Sequence, residues 1–124
     1  MRDKNGQVIY EGGEERYFDD LDLRDAAMEG LTLQGASFCD TNLAGASLRG
    51  ADFYWAVFFR ANLANADLEG ARLQGADLKQ ANLTNANLRN ANLGRDNLGG
   101  STQLQGTNLA GAVLDGASLE DAEL

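Results

Sequence analysis

Large apolar residues return along this chain at every fifth position, a spacing that fits neither an amphipathic helix nor simple strand alternation. From Phe18 onward, seventeen successive positions at this spacing hold only Leu, Phe or Met, and the last of them is Leu98. Two places before the large residue, eleven of the twelve positions from Ala36 to Ala91 hold Ala, and the exception is Thr41. The period is therefore five residues, with one small and one large apolar side chain in each unit.

Within one period the pattern predicts a short extended segment followed by a corner. Residues two apart on an extended chain point the same way, so each Ala and the large residue after it face a common interior. The residue between them faces outward and is typically Asp or Asn, as in Asp52, Asn62 and Asp67. The next two residues are mostly polar or Gly, which suits a turn. Such a short fixed period predicts a solenoid, in which each unit buries its apolar face by stacking on its neighbours.

The pentapeptides ADLEG, ADLKQ, ANLTN and ANLRN resemble the A(D/N)LXX motif of the pentapeptide-repeat family. The resemblance covers residues 16–124 and implies an all-β fold, a right-handed quadrilateral parallel β-helix of about five coils. In that family four pentapeptides close one coil, so residues twenty apart lie above one another. This register predicts that Phe18, Phe38 and Phe58 stack on one side ahead of Leu78 and Leu98. It also predicts an outward amide ladder, formed by Asn42, Asn62 and Asn82.

The repeat has one irregularity, because the spacing between Leu98 and Leu104 is six residues instead of five. The stretch between them reads GGSTQ, and the five-residue spacing then resumes as far as Leu124. We expect one inserted residue, absorbed by a bulge or a small loop at residues 99–103. A Gly-rich loop without a following helix or Lys is weak evidence for an anion site, so none is predicted.

Residues 1–15 precede the repeats and are predicted to form a cap on the first coil. The Asn5-Gly6 pair favours a tight hairpin turn, and Val8, Ile9 and Tyr10 are expected to lie across the coil. Such a cap covers a strand edge that a stacked β-structure otherwise exposes.

The net charge of −9 is distributed unevenly along the chain. Residues 1–29 hold nine acids and four bases, residues 30–95 five acids and six bases, and residues 96–124 five acids and no base. Both ends are therefore acidic, while the wall between them is nearly neutral. Adjacent acids such as Glu14 with Glu15, or Asp19 with Asp20, are interpreted as solvated charge.

Catalysis is not predicted, because the chain has no His and its ionisable residues recur as interchangeable surface positions. The single cysteine, Cys39, has no partner for an internal disulfide and no neighbouring group in the sequence that would activate it. We expect no catalytic residue, no metal site and no cofactor. No apolar run is long enough to span a bilayer, and no secretory signal is recognised, so we expect a cytoplasmic protein without membrane contact.

The stretch ADFYWAVFFRA, residues 51–61, concentrates the aromatic residues of the chain. The register sends Phe53 and Phe58 inward and leaves Tyr54, Trp55, Val57 and Phe59 outside as candidate partner-binding residues. Contiguous outward aromatics favour an interaction site, since monomers seldom expose such patches. The alternative is that Trp55 only covers bare backbone, because the register places glycines, Gly35 and Gly75, one coil below and above it.

These observations predict a non-catalytic protein-interaction or scaffolding module with an unknown protein partner. A homodimer is expected, joined through the aromatic corner or through the last coil, where Leu119 and Leu124 are the candidate dimer end. The family resemblance implies an alternative, because some members are dimeric acidic rods that mimic DNA and protect type II topoisomerases such as DNA gyrase. The wall of this chain lacks a continuous acidic stripe, which such a mimic needs. Direct nucleic-acid binding is not expected.

Overall fold

A computed structural model describes residues 1–10, 12 and 16–124 of the chain. From Arg16 onward the backbone winds as a quadrilateral parallel β-helix, and its outward residues bridge in register from coil to coil. The pairing consists of single-residue parallel bridges, and no helix occurs in the described ranges. Face 1 is bridged through Tyr17, Ser37, Val57, Asp77, Gln103 and Glu123, and face 2 through Asp22, Asn42, Asn62, Asn82 and Asn108. Face 3 is bridged through Ala27, Ser47, Asp67, Asn87 and Val113, and face 4 through Thr32, Asp52, Arg72, Asn92 and Ser118.

The outward Asp or Asn of each pentapeptide closes the corner that follows it. The Oδ1 atom of Asn62 accepts a hydrogen bond from the backbone N–H of Ala64 at 3.1 Å, and Asp77 accepts one from Lys79 at 2.9 Å. Short Asx side chains are suited to this contact with the N–H two residues onward. The sequence preference for Asp or Asn therefore has a local structural cause that is independent of any partner.

The interior is filled by the two predicted series of apolar residues, which confirms the five-residue register up to Leu93. The rings of Phe18 and Phe38 stack with centroids 5.1 Å apart, and those of Phe38 and Phe58 with centroids 5.0 Å apart. These separations match the rise of about 4.8 Å expected between coils. The rings of Phe53 and Phe58 pack edge to face with their centroids 5.1 Å apart. Phe58 is the last aromatic residue of the buried core, so the aromatic core is confined to the first coils.

Two polar features of the prediction are also present. Asn62 donates from Nδ2 to Oδ1 of Asn42 at 3.3 Å, and Asn82 donates to Asn62 at 3.4 Å, which confirms the amide ladder. Thr41, the exception in the Ala series, is fully buried, and its hydroxyl donates to the carbonyl oxygen of Phe18 at 2.6 Å.

The N-terminal residues form a hairpin whose contacts with the first coil differ from the predicted ones. The turn is held by Asp3, whose Oδ1 accepts the N–H groups of Asn5 and Gln7 at 2.9 Å each. Arg2 pairs with Ala27 of the first coil, and Val8 pairs with Arg2 on the far side. Val8 and Ile9 therefore stay exposed, whereas the buried residues Met1 and Tyr10 pack against the core.

The break in the repeat is larger than the one predicted residue. Asp77 bridges to Gln103, 26 positions onward (103 − 77), whereas Val57 bridges to Asp77 across 20 (77 − 57), so six residues are inserted. Leu98 is 80% exposed and does not belong to the core, because Leu104 takes the position above Leu78. The irregular stretch is residues 94–101, not 99–103, since Thr102 is buried and Gln103 is already paired on face 1.

Within the described residues, no helix offers an apolar stretch long enough to cross a membrane.

Candidate functional site

The six-residue insertion emerges at the corner between faces 4 and 1, which is also the corner that carries the exposed aromatics. We call residues 94–101 the insertion loop and the pair Tyr54 and Trp55 the aromatic corner. The coil between them contributes Gln74 and Gly75 at the same corner. The loop folds back past Gly75, so residues more than forty positions apart in the chain meet.

Asp96 fixes the loop to the aromatic corner. Its carboxylate is almost fully buried, with 7% of the residue exposed. The indole Nε1–H of Trp55 donates to Oδ2, and Oδ1 accepts the backbone N–H groups of Leu98 at 2.7 Å and Gly100 at 2.6 Å. The hydrogen bond from Trp55 holds the pKa of Asp96 below its usual range; the backbone N–H bonds act in the same direction, and desolvation opposes them. The carboxylate is therefore ionised at neutral pH.

Tyr54 provides a second attachment for the loop. Its hydroxyl oxygen accepts the backbone N–H of Asn97 at 2.9 Å. The guanidinium of Arg72 lies 5.9 Å from the centre of the Tyr54 ring and is also paired with Asp52 at 3.0 Å. The tyrosine thus joins the loop to a charged pair on face 4.

Trp55 packs its indole over the backbone of Gly75. A Cβ atom added at Gly75 would collide with Cδ1 and Nε1 of the indole, so only glycine allows this position. Gly35, on the other side, has no neighbour within 4 Å of such an atom. The prediction that glycine leaves room for the indole is thus correct for Gly75 and wrong for Gly35. Trp55 itself has a φ of 60°, a left-handed conformation that is unusual for a bulky residue.

Thr102 restores the hydrogen bonding that the insertion interrupts. In the coils below, Gly35 donates its N–H to the carbonyl of Tyr54, and Trp55 donates to that of Gln74. The N–H of Gly75 instead donates to the hydroxyl oxygen of Thr102 at 3.0 Å. That hydroxyl lies 2.9 Å from the carbonyl oxygens of both Leu73 and Gly94, and it donates to one of them at a time. The rod therefore continues past the loop with its corner still bonded.

The loop ends in a compact tip that presents Leu98. The backbone N–H of Asp96 donates to the carbonyl of Gly100 at 2.8 Å, and the N–H of Gly99 donates back to Asp96 at 3.3 Å. Leu98 is 80% exposed at this tip, and Trp55 beside the loop is 47% exposed. The sequence prediction missed Asp96, Asn97 and Leu98 as site residues. An available signal was that Asp96 occupies a position that holds Ala in eleven of the twelve preceding repeats.

The other two predicted partner-binding residues lie on face 1 and at the corner that follows it. Val57 is the bridged residue of face 1, between Ser37 and Asp77, and Phe59 follows it at the next corner. Both are partly exposed. Among the four predicted residues, only Tyr54 and Trp55 form hydrogen bonds with the loop, and Val57 and Phe59 extend the surface across face 1.

Cys39 and Asp19, one member of the acidic pairs, take part in the same group of hydrogen bonds. One carboxylate oxygen of Asp19 accepts the N–H of Cys39 at 2.9 Å and the hydroxyl of Ser37 at 2.6 Å. Among residues 1–10, 12 and 16–124, no cluster of three or more His, Cys, Asp or Glu residues is placed to hold a metal ion. Glu14 and Glu15 lie outside the described residues.

Five of the six basic residues on the wall are paired with acids. Arg49 contacts Glu69 at 2.8 Å and Asp67 at 3.1 Å, and Arg60 contacts Asp40 at 3.0 Å. One corner stacks alternating charges along the rod: Glu29, Arg49, Glu69, Arg89 and Asp115. The wall is therefore a mixed surface instead of an acidic one.

The two residues of the predicted dimer end differ in exposure. Leu119, which lies in one coil with Leu109 and Leu114, is 36% exposed, whereas Leu124 follows Glu123 in the next coil and is 84% exposed. Leu109 and Leu114 pack partly against the core.

The repeats match the family model of pentapeptide repeats, in eight copies, over residues 22–58, 61–95 and 101–124. The gap between the last two segments falls within the insertion loop. No curated protein sequence matches the chain.

Solved structures of the same family resemble the chain along most of its length. A pentapeptide repeat protein from the thylakoid lumen of Arabidopsis thaliana is 38% identical over 84% of this chain and 68% of its own, with a TM-score of 0.77. HetL from Nostoc sp. strain PCC 7120, which is involved in the regulation of heterocyst differentiation, is 37% identical over 86% of this chain, with a TM-score of 0.62. The match spans 46% of HetL, so this chain corresponds to less than half of that protein. QnrB1, a plasmid-mediated fluoroquinolone resistance protein, is 19% identical over 86% of this chain and 61% of its own, with a TM-score of 0.39.

The repeats, the coil register and the matches to the family model and to the first two structures agree. The chain belongs to the pentapeptide-repeat family and adopts its right-handed β-helix.

Proposed function

We propose that this chain is a non-catalytic protein-interaction module whose binding surface is formed by the insertion loop and the aromatic corner. The observation that carries the proposal is the tip residue Leu98, which is 80% exposed on a loop held in place by a buried carboxylate. An apolar side chain on a protruding, hydrogen-bonded loop is suited to bind a pocket on another protein, because these hydrogen bonds reduce the conformational entropy lost on binding.

The neighbouring side chains support the same proposal. Trp55 is half exposed beside the loop, and tryptophan and tyrosine are the residues most enriched at interface hot spots. The coils below form a regular scaffold on which the loop is the one large departure among the described residues. Binding residues are often found on loops that a rigid scaffold positions.

The test is quantitative binding with matched variants. Proteins captured from the source cell by the immobilised chain are purified, and the Kd of each is measured for wild type, Leu98→Asp, Trp55→Ala and Thr84→Ala. Thr84 lies at the diagonally opposite corner and serves as the control. We expect the first two variants to weaken binding by about tenfold or more and the control to leave the Kd unchanged. A partner whose Kd is the same for all four proteins would refute this choice of surface.

DNA mimicry is the second candidate, and it depends on the family resemblance and on the acidic ends. A mimic must offer carboxylates to a basic groove, and its binding must weaken as salt rises. The pairing of Arg49, Arg60, Arg72 and Arg95 with acids disfavours the wall as that surface. Inhibition of DNA gyrase supercoiling by the purified protein, measured across a salt series, tests the idea. Absence of inhibition at low salt, where attraction is strongest, eliminates it.

The cytoplasmic location stays a prediction, and the location of the Arabidopsis relative in the thylakoid lumen is a property of that protein. Tagging the full-length protein in its own cell and imaging the tag tests it directly.

A further inference from the structure

We infer that the insertion loop is a latch: residues 96–101 and the indole of Trp55 form one cooperative unit that opens and closes while the coils stay folded. The inference concerns the chain alone and does not depend on the proposed function.

The loop is joined to the rod through few contacts. Among the described residues, two hydrogen bonds link residues 96–101 to the coils: Trp55 Nε1–H to Asp96, and Asn97 N–H to the hydroxyl of Tyr54. Both are made by side chains of the aromatic corner. The remaining hydrogen bonds of residues 96–101 are internal and connect Asp96 with Leu98, Gly99 and Gly100. Opening therefore breaks no coil-to-coil hydrogen bond.

The two ends of the loop are anchored independently of its tip. On one side Arg95 donates its N–H to the carbonyl of Glu120 at 3.1 Å. On the other side Gln103 donates to Ala76 at 2.9 Å, and Thr102 bonds the N–H of Gly75. These contacts hold the corner in register whether residues 96–101 are docked or not. Local opening of this kind, with the core intact, is typical of segments with few buried contacts.

The closed arrangement leaves one polar atom at this corner unsatisfied. The buried Oε1 atom of Gln74 has no hydrogen-bond partner in the described part of the chain, and a buried acceptor without a partner is destabilising. The positive φ of Trp55 recurs at equivalent corner residues such as Arg60 and Asn65, so it belongs to the coil and not to the latch.

The opening of the latch changes the surface that a partner meets. When Asp96 leaves, the indole N–H of Trp55 and the hydroxyl of Tyr54 become available, and the backbone of Gly75 loses the carboxylate that lies beside it. The closed loop offers Leu98, and opening adds the polar edges of the aromatic corner. The same insertion therefore controls whether those edges are displayed.

Two glycines give a matched test of the contact beneath the indole. Gly75 and Gly35 occupy equivalent corners with φ values of +70° and +69°, so alanine introduces the same backbone strain at both. A Cβ atom at Gly75 collides with the indole, whereas a Cβ atom at Gly35 meets nothing within 4 Å. Gly75→Ala should therefore displace Trp55 and open the latch, and Gly35→Ala should not.

Amide hydrogen exchange and the fluorescence of Trp55, the only tryptophan, provide the readouts. In Gly75→Ala we expect the exchange of the Asn97, Leu98 and Gly100 amides to accelerate by about tenfold or more, with a shifted Trp55 emission and unchanged exchange in the coils. Gly35→Ala should match wild type in the loop.

A second pair of variants keeps the test decisive if Gly75→Ala fails to fold. Asp96→Asn preserves the size of the side chain but weakens the acceptor, and should produce the same acceleration. Asp115→Asn, an exposed carboxylate at another corner, is its control. Unchanged loop exchange in Asp96→Asn, or equal acceleration in the loop and the coils, would overturn the latch.

Discussion

At the scale of single residues, the position within the pentapeptide determines what a side chain does. Side chains of the same class have different roles at different positions: the aromatic residues Phe38 and Phe58 stack inside the rod, whereas Trp55 lies outside and bonds the loop. Asp52 closes a corner through its Oδ1 atom, whereas Asp96 bonds the insertion loop to Trp55. Residue type alone is therefore a weak guide to function in this chain.

Truncation of inward and outward aromatics should have very different effects on stability. Phe38→Ala and Phe58→Ala each remove a fully buried ring from a stack that cannot collapse, so we expect a loss of about 3–5 kcal/mol in the free energy of unfolding. Tyr54→Ala and Trp55→Ala should cost the rod much less, because these side chains lie outside the buried core. Chemical denaturation of the four variants measures the difference, and equal losses at all four sites would contradict the register.

Thr102 and Thr107 provide a second comparison between similar residues. Both hydroxyls donate to a carbonyl of the preceding coil, but only that of Thr102 also accepts a backbone N–H, from Gly75. Thr102→Ala leaves this N–H without its acceptor, and we expect a loss of about 1–3 kcal/mol. Thr107→Ala should cost less, because Leu78, whose carbonyl it contacts, still accepts the N–H of Ala81. Urea denaturation of both variants tests the assignment, and an equal or larger loss for Thr107→Ala speaks against it.

At the scale of elements, the regular coils were predictable from the sequence and the insertion was not. Each coil repeats a local pattern of a small residue, an Asp or Asn, and a large apolar residue. The corner hydrogen bonds of the outward residue explain the preference for Asp or Asn. The loop depends on contacts between residues about forty positions apart, which no local pattern records. Leu98 also lies five residues after Leu93 by coincidence, so the sequence pattern counts it as a core residue. The six inserted residues therefore look like an insertion of one residue between Leu98 and Leu104.

The docked loop should respond to acid but not to pH changes near neutrality. The pKa of Asp96 is lowered in the folded protein, chiefly by the hydrogen bond from Trp55, so its stabilisation is complete above the pKa of an unfolded Asp. This stabilisation is lost as the pH falls through the lower pKa that Asp96 has in the folded protein. We expect constant Trp55 emission between pH 8 and about 5, and a change only below about pH 4.

The control for this titration is Asp96→Asn, which should abolish the acid transition of the loop. The other charged groups near this corner are Asp52, Arg72 and Arg95, and the variant leaves all three in place. A transition of wild-type emission between pH 5 and 8 would contradict the assigned direction of the pKa.

At the scale of the whole molecule, self-association is the prediction that the exposed apolar surfaces favour. Leu119 and Leu124 are exposed near the C-terminus, and Trp55 is exposed at the aromatic corner. We expect a polypeptide of this sequence to form a dimer or larger species at micromolar concentration, because such apolar surfaces are seldom left uncovered. Sedimentation equilibrium of wild type, Leu124→Glu and Trp55→Ala identifies the surface involved. A single species of 13.2 kDa for wild type would rule out the dimer.

The central claim of this account is that a continuous β-helix carries a separable insertion that forms its binding surface. Deletion of residues 96–101 tests this claim most directly, because it leaves Gly94, Arg95, Thr102 and Gln103 between Leu93 and Leu104 and so restores the five-residue spacing. The measurement is chemical denaturation of the deletion variant beside wild type, followed by determination of its Kd for a partner of the wild-type chain. We predict a cooperative unfolding transition at no lower denaturant concentration than that of wild type, together with loss of partner binding. A deletion variant that does not fold, or that folds and binds the partner with wild-type affinity, would contradict the account.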